Sequence, residues 1–252
     1  MLIGTGVGIA FVLLSVWRRV LTLPGALLAM AMLLVILAFG GVAAAAYILV
    51  IFFLCALVHA LNKKKKNRHS DGARGVRQVA CNGLIGALLL AVYGLWPCDA
   101  LLVAYYAAIA EFFADTMASD IGTLFPGDPV DICRWRRVER GRSGGVSLMG
   151  TLASLGGCLI CFLVSLLSEI GVAGAAVAAS AAFLGMLIDS VLGSLVQGKY
   201  RCTVCASYTE KPVHCDTPTA RIGGLSWVGN STVNILSNIA AAAIALGIFW
   251  LI

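Results

Sequence analysis

Apolar residues run through this chain in long blocks, and polar ones interrupt them at nearly regular intervals. Eight blocks stand out, at about 2–17, 20–38, 42–61, 79–97, 100–124, 146–168, 172–197 and 228–252. Each is near the roughly 20 residues that a helix needs to cross about 30 Å of hydrocarbon. The pattern therefore predicts an all-α fold: a polytopic helical bundle in the membrane, with about eight segments in one domain spanning residues 1–252. The first two blocks are short. Pro24 and Gly25 near the start of the second suggest a broken or re-entrant segment. In the first, Arg18 and Arg19 follow the apolar run, the reverse of a secretory leader, so it reads as a first span.

Charge then orients the bundle. Arg18 and Arg19 follow block one, and Lys63 to Lys66, Arg68, Arg74 and Arg77 follow block three. Arg134, Arg136, Arg137, Arg140 and Arg142 follow block five, and Lys199, Arg201, Lys211 and Arg221 follow block seven. All 18 basic residues thus fall in odd-numbered connections. The positive-inside rule makes that side cytoplasmic and both termini non-cytoplasmic. A hydrophobic content of 60% with 12% charged residues excludes an ordinary soluble domain, and the net charge of +6 reads as topology rather than nucleic-acid binding. The cytoplasmic loops run at about 62–78, 125–145 and 198–227. The first, a lysine run, suits anionic lipid head groups of the bilayer.

Acids inside an apolar block are costly and default to function. EFFADTMASDIG, residues 111–122, carries Glu111, Asp115 and Asp120. Glu111 and Asp115 share a helix face at i and i+4. Asp115 lies about 7–8 Å deeper than Asp120, and Glu111 about 13 Å deeper, at 1.5 Å per residue. No Lys or Arg lies in a span core to neutralise them. Asp189, in GMLIDSVLGSLVQGK, supplies a carboxylate from a second helix, on a face with Gly185 and Gly193. Hard oxygen donors of this kind suit Mg²⁺, which keeps waters and bridges to phosphates. Arg140, Arg142, Ser143, Gly144 and Gly145 lead into block six. Glycines before a helix N-terminus, with arginines beside them, suit a phosphate. Asn230, Asn234 and Asn238 repeat every four residues and suggest a polar stripe lining a cavity, while Asn82 marks a comparable entry to block four. Cys202-x-x-Cys205 followed by His214-Cys215 reads as a structural zinc knuckle on a reducing loop.

Taken in order, EFFADTMASDIG, RSGGVSLMGTLAS, LIDSVLGSLVQ and GNSTVNILS resemble a family of membrane proteins containing plant phytyl-phosphate kinase and animal transmembrane protein 19, and ARGVRQVACNG is similar to it too. The resemblance covers essentially the whole chain. It implies a phosphotransferase that passes a phosphoryl group from a nucleoside triphosphate, CTP among the options, to an isoprenyl monophosphate of the phytyl or geranylgeranyl type. On that expectation Asp115, Asp120 and Asp189 hold Mg²⁺, with Glu111 tuning the site or acting structurally. Arg140, Arg142, Ser143, Gly144 and Gly145 hold phosphate, Asn82 contributes to substrate or phosphate binding, and Asn230 and Asn234 orient the acceptor head group. Gly229-Asn230 stands where many members have an Asn-Asp or Asp-Asn pair, so no acid is available there. The enzyme would sit in the plasma or inner membrane with its site facing the cytoplasm. The competing expectation is an ion-coupled transporter or lipid flippase, which would also use intramembrane acids.

Overall fold

A computed structural model describes residues 2–18, 20–66 and 73–251. Seven α-helices carry the fold: α1 Leu2–Trp17, α2 Leu23–Lys66, α3 Val76–Leu95, α4 Asp99–Gly122, α5 Leu148–Ser165, α6 Gly171–Leu195 and α7 Asn230–Phe249. Six of the described helices, α2 to α7, are long and apolar enough to cross a membrane. The apolar part of α2, Leu23–Asn62, has 40 residues, about 60 Å of helix and twice a bilayer core.

That length is explained by a reversal at Gly41, whose φ of 72° and ψ of −170° are not helical. Before the break, Gly25 lies against the Arg74 carbonyl at the start of α3, and Gly40 lies against Leu90 near its end. After the break, Ile48 returns to the level of Gly83, and the Phe52 ring lies 5.9 Å from the Arg74 guanidinium. α2 is thus a helical hairpin, matching the expected blocks two and three. One detail differs from expectation. Pro24 and Gly25 do not break block two; they sit in the first turn of α2, where a proline lacks no intrahelical hydrogen bond, and Thr22 Oγ1 accepts from Gly25 N–H at 3.3 Å. With α1, the hairpin and α3 to α7, the bundle has the eight expected segments. α1, at 16 residues, is shorter than a full span.

α4 runs through the middle, in contact with α2, α3, α5, α6 and α7. Every residue from Val103 to Ala114 is buried. A helix apolar all round can bury every face only inside a bundle, and its alanines let neighbours approach closely. Tyr47, Tyr105 and Tyr106 pack edge to face, with centroids 4.6 to 6.4 Å apart, and Tyr105 donates to the Ala44 carbonyl at 2.7 Å. On the outside, Leu148, Leu152, Leu155, Leu159 and Leu163 of α5 form an exposed apolar stripe, which only lipid solvates without cost.

The connections at the basic end hold short strands that the apolar pattern did not predict. β1 (Val130–Asp131) pairs with β2 (Gly145–Val146). β3 (Lys199–Arg201) lies between β4 (Tyr208–Thr209) and β7 (Ala220–Gly223), and β5 (Val213–His214) pairs with β6 (Thr217–Pro218). The described parts of the odd-numbered connections lie on this face. The α1–α2 link bridges to Arg74, α2 reaches Asp120 of α4, and Gln197 bridges to Leu225. Arg19 and residues 67–72, which include Arg68, lie outside the described residues.

Candidate functional site

Close helix approaches open a cavity at the basic end. The α4 C-terminus and the α5 N-terminus meet at Gly122 and Gly150, where an added Cβ on Gly122 would lie 2.9 Å from the Gly150 Cα. Ser147 caps α5, its Oγ accepting from Gly150 N–H at 3.1 Å. The loop before it folds back on the end of α6. Gly144 adopts a φ of +81°, and a Cβ there would lie 2.5 Å from the backbone of Ser194, so both conformation and space demand glycine.

The cavity has a volume of about 540 Å³, within the range of about 300–1,000 Å³ typical of ligand pockets. Asp115 and Asp120 reach it from α4 and Asp189 from α6. Arg140, Arg142, Ser143, Gly144 and Gly145 line it from the loop, and Asn230 from the start of α7. Carboxylates 74 residues apart in sequence therefore share a wall with the arginine–glycine loop and the amide end of α5. Asp115 and Asp189 are in electrostatic contact, and Ser237 Oγ donates to Asp189 Oδ2 at 3.2 Å.

Glu111 lies beneath this wall. It is 1% exposed, within electrostatic reach of Asp189 and Asp115, with its Oε1 buried and unpaired. Gly185 makes room for it, since a Cβ there would lie 2.7 Å from Glu111 Cγ and from Ala241 Cβ.

Two expected site residues lie elsewhere. Asn82 belongs to a separate, mostly apolar cleft beside Met32, Phe52 and Arg74. That cleft has a volume of about 60 Å³, too small for a substrate head group. Asn234 is not among the residues that line the cavity. Its Oδ1 is buried without a hydrogen-bond partner, and its carbonyl accepts from Ser237 Oγ at 3.0 Å and Asn238 Nδ2 at 2.7 Å. The asparagine stripe is therefore divided, with Asn230 alone on the cavity. Residues four apart drift around a 3.6-residue helix and sink at different depths.

Several contributors were not legible in the sequence. His59 Nδ1 lies 3.3 Å from Asp120 Oδ2, and Asn62 Nδ2 donates to Asp120 Oδ1 at 2.6 Å. Asp120 is thereby held by α2, leaving Asp115 and Asp189 as the pair of acids best placed for a cation. Glu210, from the strand-rich loop, accepts from Ser143 Oγ, and burial raises its carboxyl above the usual range. The Arg142 guanidinium lies 5.5 Å from the Tyr208 ring centroid, and Arg140 Nε donates to the Gly127 carbonyl at 3.0 Å. Four carboxylates thus share the cavity wall with two guanidiniums, an excess of negative charge that suits a divalent cation.

Asp131 anchors the loop. It accepts from Ser194 Oγ at 2.6 Å, Arg134 N–H at 3.0 Å and Cys133 N–H at 3.1 Å. Burial pushes its carboxyl upward, but these hydrogen bonds and the Arg134 charge outweigh it and hold it below the usual range. A depressed pKa contributes stability that is present above the unfolded value of about 3.9 and lost as pH falls through the folded one. Asp131→Ala is expected to cost about 1–3 kcal/mol at pH 7 by stranding buried donors. Thermal unfolding at pH 7 and pH 3 checks this: the gap between variant and parent should narrow in acid.

Beside the cavity, one ligand atom each from Cys202, Cys205, His214 and Cys215 lies within 4.8 Å of the others. Cys205 and Cys215 Sγ are 3.8 Å apart, and His214 Nδ1 is 3.6 and 3.2 Å from them. Zn–S of about 2.3 Å and Zn–N of about 2.0–2.1 Å give tetrahedral edges of about 3.8 and 3.6 Å. Val204 N–H also donates to Cys202 Sγ at 3.4 Å. Left-handed backbone at non-glycine residues occurs, among the described residues, at Trp135, Ala206, Cys215 and Asp216, so three of the four flank this cluster. Each costs about 1–2 kcal/mol, less for Asp.

The membrane bundle, with this cavity at its basic end, has a match among known sequences. The model of the integral membrane protein family DUF92 matches residues 6–242. The chain belongs to that family. An uncharacterised membrane protein of Methanocaldococcus jannaschii is 31% identical over 142 residues, covering 55% of this chain and 58% of its own. One from Synechocystis is 28% identical over 182 residues, covering 71% and 61%. Protein PGR of Arabidopsis thaliana is 29% identical over 193 residues, covering 66% of each. The chain thus matches 58–66% of the length of these relatives. No solved structure is significantly similar.

Proposed function

We propose that this protein is a membrane-embedded isoprenyl-phosphate kinase, transferring a phosphoryl group from a nucleoside triphosphate to a lipid monophosphate. The observation that carries the reading is the single cavity where Asp115 and Asp189, from different helices, face Arg140, Arg142 and the glycine loop. The resemblance to the family containing phytyl-phosphate kinase supports the same reading.

The lipid phosphate is itself the nucleophile. One of its oxygens attacks the γ-phosphorus in line. The bond to the β–γ bridging oxygen breaks, and the nucleoside diphosphate leaves with that electron pair. A phosphate dianion carries no proton on the attacking oxygen, so the step needs positioning and charge neutralisation rather than a general base. Asp115 and Asp189 would hold Mg²⁺, which supplies charge neutralisation at the transferring phosphoryl group when bound. Arg140, Arg142 and the Gly144 amide grip phosphate oxygens, while the Gly145 N–H holds the turn by donating to the Arg142 carbonyl at 3.0 Å. Asn230 orients the acceptor from the α7 end. The basic face is read as cytoplasmic, where the nucleotide is found.

A transporter or flippase needs polar residues through the full depth of the bundle. Here the interior beyond Glu111 is closed by Tyr47, Tyr105 and Tyr106, each buried. The test is purified protein with phytyl or geranylgeranyl monophosphate, Mg²⁺ and each nucleotide in turn. Isoprenyl diphosphate is the expected product. Uptake of substrate into liposomes with no turnover would instead establish the carrier.

A further inference from the structure

We propose that Cys202, Cys205, His214 and Cys215 bind one zinc ion, and that this zinc clasps the segment carrying Tyr208 and Glu210 against the glycine loop. The metal site stands by itself; the consequence for Glu210 rests on the phosphoryl-transfer reading above.

Three features converge on a metal. The separations of 3.8 Å between Cys205 and Cys215 and 3.6 Å between Cys205 and His214 match tetrahedral edges around one ion, and the 3.2 Å between Cys215 and His214 is somewhat shorter than such an edge. A sulfur separation of 3.8 Å is far from the roughly 2.05 Å of a disulfide, and three thiols cannot all pair. The donor set of three sulfurs and one imidazole nitrogen selects zinc among common divalent ions. Cys215 and Asp216, both left-handed, form the two-residue β5–β6 turn, the conformation that such a hairpin favours. With four protein ligands and no open position, the site is structural rather than catalytic.

Its position gives it a task. The ligands come in two pairs, Cys202/Cys205 and His214/Cys215, and Tyr208 and Glu210 lie on the chain between them. Tyr208 meets the Arg142 guanidinium, and Glu210 accepts from Ser143. Joining the two pairs fixes both ends of this segment, so the zinc sets where it meets the cavity. On the other side β3 is tied to α6 by Lys199 Nζ, which donates to the Ser194 carbonyl at 2.5 Å.

Metal analysis of the full chain, purified in detergent from zinc-replete cells, is expected to find one zinc per chain. Cobalt(II) exchanged into the site should give the visible spectrum of tetrahedral thiolate coordination. Cys205→Ser and Cys215→Ser should each reduce zinc on the order of tenfold or more, while Cys98→Ser and Glu210→Gln retain it. Removing zinc from the parent protein with a chelator should accelerate protease cleavage within residues 203–219, and zinc addition should reverse it. This parent-protein experiment decides the matter even if the cysteine variants fail to fold. A parent protein that holds no zinc and takes up none at micromolar concentration overturns the site. Zinc that can be removed without any change in cleavage overturns the clasp. Neither result depends on kinase activity, so each is distinct from failure of the enzymatic reading.

Discussion

Asp115→Asn is expected to lower isoprenyl diphosphate formation about 100- to 1,000-fold, the scale for losing one preorganised charge partner of a transferring phosphoryl group. The fold should survive. Asp115 is in electrostatic contact with three other carboxyl groups, those of Asp189, Asp120 and Glu111. Asparagine keeps the shape and removes one member of a mutually repelling set. The thermal midpoint in detergent should therefore stay the same or rise, whereas a residue kept for helix packing would lower it when replaced. Asp189→Asn should act alike, and the double variant should lose little more than either single one if both hold the same ion. Steady-state turnover and thermal unfolding of the three variants check this. Wild-type turnover in Asp115→Asn would sink the proposed mechanism.

Gly144→Ala is expected to be the most disruptive single methyl in the loop, costing about 2–5 kcal/mol locally from left-handed backbone and overpacking together. The new Cβ would lie 2.5 Å from Ser194 N, Cα and Cβ, where mostly backbone stands and no flexible side chain can swing away. Gly141 provides the control. Its φ is +80°, nearly that of Gly144, but nothing lies within 4 Å of an added Cβ. Gly141→Ala should therefore incur only the conformational cost of about 1–2 kcal/mol. The gap between the two variants isolates the close approach of the loop to α6. It should appear as a higher KM for the nucleotide in Gly144→Ala, because the displaced Gly144 amide and Arg142 no longer reach its phosphates. Equal effects of the two alanines would mean that the loop does not need its seat on Ser194.

Much of this architecture was legible along the chain because lipid enforces a simple code. Hydrocarbon admits only helices of sufficient length, and basic residues collect on one side, so segment number and the basic face follow from composition and order. The reversal between blocks two and three was visible at Gly40-Gly41 for the same reason. Buried acids also announce themselves, since so few apolar segments carry them. Pro24 misled in a small way: proline in a first turn looks like a break when only its identity is considered.

What remained hidden depends on which surfaces meet. Glu111, Asp115 and Asp189 were readable as unusual, but their convergence with the loop follows from Gly122, Gly150 and Gly185, which bring particular helices together, and from Gly193, which seats the glycine loop on α6. His59 and Asn62 sit in an otherwise apolar segment, and nothing local says that they meet Asp120, about 60 residues away. Asn82 and Asn234 carry the same side chain as Asn230, yet helix phase and depth keep both off the cavity. Glu210 looked like one more charge in a polar loop until β3 and β4 carried it to Ser143. Helical period and hydrophobic length act over a few turns and are written in neighbouring residues. The pairing of distant polar groups is settled by close packing between segments, which no short window of the chain contains.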